Sequence, residues 1–151
     1  MRIYLPASVA DLAADRLTPR PVSLVTDHLR AAYPAEGEED LEMVAFLAAA
    51  DASLQMLQPD ATPARVVIAA DVADGAIAQV QPGQLTAARL TEEVTWSAVV
   101  SIHTDDPGDH AGARLVSQAI AGQPEAVIAA ADLDLLWFDV SERGQLRALF
   151  G

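Results

Sequence analysis

Arg65-Val66-Val67-Ile68-Ala69-Ala70 is the stretch on which the reading of this chain turns. One arginine is followed by five apolar residues in a row, three of them β-branched. Successive side chains of a strand point to opposite faces, so an unbroken apolar run expects cover on both sides. The run therefore predicts a strand at the centre of a sheet. Arg2, Arg65 and Arg89 all fall at or in predicted strands, where they could pair with carboxylates across the sheet.

Working upstream, nothing breaks a helix from about Glu38 to Gln58. The acidic run Glu36-Gly37-Glu38-Glu39-Asp40 sits where the macrodipole of that helix favours negative charge. Met43, Leu47, Ala50, Leu54 and Leu57 form a stripe that Leu41, Val44 and Ala48 widen, which predicts a helix packed on a sheet and a neighbouring helix together. Asp51 lies inside this stripe; it either marks the edge of the buried face or needs a partner. Nearer the N-terminus, Arg2 to Leu5 reads as a strand and Ser8 as the cap of a helix over Val9 to Leu17. Thr18-Pro19-Arg20-Pro21 ends that helix, and a short strand, Val22 to Val25, and a short helix capped by Thr26 follow.

Downstream, Asp71 to Gly83 reads as loop with Pro82-Gly83 as a turn. Strands are expected over Ala87–Val94, Val99–Thr104, Ala126–Ala130 and Leu135–Val140, and a helix over His110–Ala121. Trp96 falls in a short connection, and a brief helix ends the chain. No linker, repeat or low-complexity tract divides residues 1–151. The expected fold class is a single α+β domain: a mixed, largely antiparallel sheet of about five or six strands, with the long helix packed across it.

Composition narrows the chemistry. The chain has 151 residues, of which 31 are alanine, and it has no lysine, asparagine or cysteine. Without lysine there is no Schiff-base nucleophile and no P-loop lysine. Without cysteine there are no disulfides, thiolate nucleophiles or Cys-ligated metals. Twenty-two acids against nine arginines give a net charge of −13. Phosphate backbones and anionic membranes repel such a surface, so no nucleic-acid and no membrane partner is expected. The charge serves solubility, salt adaptation or the docking of a basic partner. Asp11 and Asp15 interrupt the start before any long apolar run, and no window approaches the roughly 18 apolar residues of a membrane span. The expected location is the cytoplasm.

Several segments, in order, resemble a small actinobacterial family of uncharacterised proteins, classed as a domain of unknown function. They are Met1-Arg2-Ile3-Tyr4-Leu5-Pro6-Ala7, Leu41-Glu42-Met43 running on to Ala52-Ser53-Leu54, Arg65 to Val72, Ser101-Ile102-His103-Thr104-Asp105-Asp106, and Leu135-Leu136-Trp137-Phe138. The resemblance spans most of the chain and implies a free-standing cytosolic protein from a high-GC source. It carries no catalytic residue over.

One constellation has the residue types of a metal centre: His103, Asp105, Asp106, Asp109 and His110. On a strand–turn–helix, two imidazoles and three carboxylates could hold a divalent cation for hydrolysis. The competing reading is structural, with Asp105-Asp106-Pro107-Gly108 as a turn and Asp109 as a helix cap. Ser101 and His103 share a face, but at a strand spacing of roughly 6–7 Å they are expected to stand too far apart to hydrogen-bond. In Leu135-Leu136-Trp137-Phe138 the aromatic residues suit a strand buried on both faces; the alternative is an exposed Trp137 edge for a homodimer or partner. The function expected from these exclusions is a non-enzymatic interaction or regulatory module with an acidic surface. The alternative is a small divalent-metal-dependent hydrolase centred on His103, Asp105 and His110.

Overall fold

The computed structural model describes residues 1–78 and 84–151, so the Pro82-Gly83 turn lies outside the described residues. In chain order the elements are β1 (Arg2–Ala7), β2 (Arg16–Leu17), β3 (Pro21–Ser23), α1 (Asp27–Ala32), α2 (Glu38–Met56), β4 (Val66–Asp71), β5 (Ile77–Ala78) and β6 (Ala87–Leu90). They continue as β7 (Val94–Thr95), β8 (Val99–Thr104), α3 (His110–Ile120), α4 (Pro124–Ala131), β9 (Leu136–Phe138) and α5 (Arg143–Leu149). Seven strands form one sheet in the order β5-β6-β3-β1-β4-β8-β9, and β2 and β7 form a separate ribbon. Every pairing in the large sheet is antiparallel. The fold is thus α+β with a long helix on the sheet, as the sequence indicates, and with more strands than it suggests.

β4 is central. It pairs with β1 along its whole length, from Arg2 opposite Asp71 to Ala7 opposite Val66, and with β8 on its other side. Val66, Ile68 and Ala70 join Ile3, Leu5 and Ile102 in the larger core on one face. Val67 and Ala69 join Tyr4 in a smaller core on the other, beneath Ala45, Ala49 and Ala50 of α2. The larger core is closed by the C-terminus. Leu146 of α5 is buried in it, and the Arg143 guanidinium stacks on Trp96 while donating to the carbonyls of Leu12 and Ala14, 3.0 Å each.

The buried face of α2 corrects the apolar-stripe reading. Leu41, Ala50, Leu54 and Leu57 of the stripe are buried, but Met43, Val44 and Leu47 are exposed, and Ala45, Ala49 and Ser53 are buried in their place. Met43 and Leu47 each lie two residues from Ala45, about 200° around the helix, so burying the alanines turns them to solvent. The sheet surface below is already filled by Tyr4 and Val67, and small side chains let the helix approach it closely. Asp51 is likewise exposed.

Three other elements differ from expectation. Val9–Leu17 is a single 3-10 turn (Val9–Ala13) followed by β2, not a helix. Asp11 accepts a bond from the Ser8 amide at 2.9 Å and is gripped through both oxygens by Arg20, which fixes a tight turn that sends Val9, Leu12 and Leu17 into the core. Ala126–Ala130 is helical, within α4: Pro124 opens the helix, and Ala126 and Ala130, one turn apart, pack on Val116 and Leu54. The Ala87–Val94 strand is split into β6, which pairs with β3 and β5, and β7, which pairs with β2.

Ser53 ties α2 to the sheet. Its hydroxyl donates to the Ala7 carbonyl at 2.7 Å and accepts from the Val66 amide at 3.0 Å, bridging the two residues that end the β1–β4 ladder. The site is fully buried. Ser53→Ala leaves two buried backbone groups without that partner and is expected to cost about 1–3 kcal/mol in urea unfolding, whereas exposed Ser117→Ala should change stability by less than about 0.5 kcal/mol.

Candidate functional site

The turn after β8 and the helix that follows carry four of the five proposed ligands. Asp105 is spoken for. Its Oδ1 accepts from Arg65 Nη2 at 2.6 Å, and its Oδ2 accepts from Arg65 Nε at 3.1 Å and from the Arg65 amide at 2.8 Å. Arg65 also donates to the Leu133 carbonyl at 3.0 Å, and both side chains are almost wholly buried. The sequence places an arginine before a central strand and an acid after its neighbour; the antiparallel register of β4 and β8 brings the two together.

Asp106 and Asp109 do local work. Asp106 Oδ1 accepts from the Gly108 amide at 2.8 Å, closing the turn, and Asp109 Oδ1 accepts from the Gly112 amide at 2.9 Å, capping α3. A Cβ at Gly112 would sit 2.9 Å from Asp109 Cγ, so a larger residue there would push the capping carboxylate aside. These are the turn and cap roles that the structural reading assigns. Each carboxylate keeps a second oxygen, and His110 is exposed beside them.

His103 stands apart on the sheet face under α2. Its ring meets Phe46 edge to face at 4.8 Å between centroids, and its Nε2 lies 2.9 Å from Ser101 Oγ. The expectation that Ser101 and His103 stand too far apart to bond is overturned: the long imidazole leans along the strand and closes a gap that the backbones keep. The pair is not equipped as a nucleophile and base. Ser101 is buried, and among the described residues no carboxylate hydrogen-bonds the imidazole. Nor do any three His, Asp or Glu side chains among the described residues gather as a metal ion would need.

What the turn does line is a cavity of about 440 Å³. Asp106, Asp109, His110 and Asp134 supply its polar wall, and Leu133, Leu136, Leu149 and Phe150 its apolar one. Asp134 escapes a reading by motif because it comes from the segment after α4, distant in sequence from the turn it faces. Trp137, next to Leu136, is 61 % exposed, so the expectation of a strand buried on both faces fails. β9 is the edge strand of the sheet, and among the described residues no strand pairs with its outer side.

One family model matches residues 1–146: Family of unknown function (DUF6912). The chain belongs to this family. No curated protein and no solved structure matches it. The DUF6912 match takes in the Arg65–Asp105 pair, the carboxylates of the cavity and Trp137, while Leu149 and Phe150 lie beyond it. No helix among the described residues is long and apolar enough to cross a membrane.

Two substitutions separate structural from chemical roles. Arg65→Met strands the Asp105 carboxylate in the interior and is expected to destabilise by about 3–5 kcal/mol, with most of that recovered in Arg65→Met/Asp105→Leu, read by chemical denaturation. Burial pushes the His103 imidazole down to about 4, from an ordinary 6.5. The folded state therefore holds the neutral ring, and stability is lost as pH falls from about 6.5 towards 4, where the unfolded chain takes the proton first. Screened by the water that reaches the ring, the loss should be about 1–2 kcal/mol, and His103→Gln should remove that slope from the pH–stability curve.

Proposed function

We propose that the protein is a non-enzymatic interaction module whose acidic surface receives a basic protein partner. The observation that carries this reading is the cavity at the β8–α3 turn. Four carboxylates line it beside an apolar wall; Asp105 is paired with Arg65, whereas Asp106, Asp109 and Asp134 form no ion pair among the described residues. An arginine side chain matches such a lining, with a planar cation for the carboxylates and an apolar stem for the leucines. The wider surface agrees. Among the described residues the ion pairs engage Asp11, Asp27, Glu38, Asp71 and Asp105, which leaves 17 of the 22 acids unpaired. A field of one sign speeds the approach of a cationic partner and weakens with salt. A cytosolic, regulatory setting suits a chain of this charge without cysteine.

The hydrolase alternative has less support, because Asp105 is committed to Arg65 and His103 faces α2 instead of the cavity. Calorimetric titration tests both readings. An arginine-rich peptide should bind with an affinity that falls steeply as salt rises, and Asp106→Asn/Asp109→Asn/Asp134→Asn should weaken it while retaining the turn and cap bonds that asparagine can also accept. Equal binding of a neutral peptide would defeat the interaction reading. Zn²⁺, Mn²⁺ and Mg²⁺ should give no heat; a stoichiometric heat abolished by the same triple variant would restore the metal-centred one.

A further inference from the structure

We infer that β9 is the docking edge, to which an extended arginine-bearing segment of the basic partner adds as a further strand; this rests on the reading above. β8 is paired on both sides, by β4 and β9, whereas β9 is paired on one side only. Its outward backbone groups meet no other strand among the described residues, and an edge of that kind is a template for an added strand.

The side chains of β9 specify what would add. Trp137 lies opposite His103, on the face of the sheet that carries α2, and is 61 % exposed. Leu136 lies opposite Thr104, on the other face, and lines the acid-walled cavity with Asp106 and Asp134. An added strand alternates its own side chains between the same two faces. Residues on the Leu136 face come beside carboxylates, and residues on the Trp137 face come beside an exposed indole. The complementary segment therefore alternates arginine with an apolar residue.

Charge selects this occupant over a second copy of the chain. β9 is bracketed by Asp132 and Asp134 before it and by Asp139 and Glu142 after it, with no arginine between. Two copies joined along this edge would press like charges together, whereas a basic segment neutralises them.

The test uses the whole protein with a synthetic alternating arginine–valine peptide, a block permutation of the same composition, and an alternating peptide N-methylated along one edge. The alternating peptide should bind most tightly and slow hydrogen exchange at the amides of Leu136–Phe138. N-methylation should weaken it by roughly ten-fold or more, since main-chain bonds are lost, and Trp137→Ala should weaken it without unfolding the protein. If all three peptides bind alike and β9 gains no protection, strand addition is wrong while the charge-based reading stands. If none binds, both fall. Sedimentation showing a dimer already protected at β9 would give the edge to a second copy and overturn the proposal.

Discussion

The buried pairing of Arg65 with Asp105 is the constraint on which the arrangement at this end of the molecule depends. Arg65 immediately precedes β4, Asp105 immediately follows β8, and the same guanidinium holds the Leu133 carbonyl after α4. One planar cation thus fixes the entry of β4, the exit of β8 and the return of the chain from the helical layer. Removing two charges from water is costly, and the cost is offset by the bidentate pairing and by the added bonds from the Arg65 amide and to the Leu133 carbonyl. That geometry positions the β8–α3 turn, and with it the carboxylates of the cavity. It also removes Asp105 from chemistry.

Much of the fold was legible because burial on both faces leaves a direct signature. Val66 to Ala70 is apolar without alternation, and it is the central strand. The caps were equally plain: Thr26 accepts from the Leu29 amide and Asp109 from that of Gly112. The buried face of α2 was only partly legible from hydrophobicity, since Met43, Val44 and Leu47 face water while Ala45, Ala49 and Ala50 face the sheet beside Phe46. Size complementarity, set by Tyr4 and Val67 beneath, outweighed apolar periodicity. Val127 and Ile128 misled similarly: they suggest a strand, yet in α4 they are exposed, and Ala126 and Ala130 do the packing.

The candidate site divides along the same line. Local roles at Asp106 and Asp109 follow from turn and cap chemistry that short sequence spans contain. Asp134 in the cavity wall and the Ser101–His103 bond depend on where distant segments come to rest, or on how far a ring leans. Of the five residues grouped as potential ligands, the structure seats Asp105, Asp106, Asp109 and His110 around one concavity and sends His103 under α2.

The alanine face of α2 has a mechanical consequence. Large interdigitating side chains index one element against another, as Phe46 does against Tyr4 and His103, whereas a smooth row of methyl groups offers little resistance to sliding along the helix axis. Ala45, Ala49 and Ala50 form such a bearing surface over β1 and β4. Ser53, riveted to Ala7 and Val66, then acts with Phe46 as the detent that stops the shaft at one position along its groove.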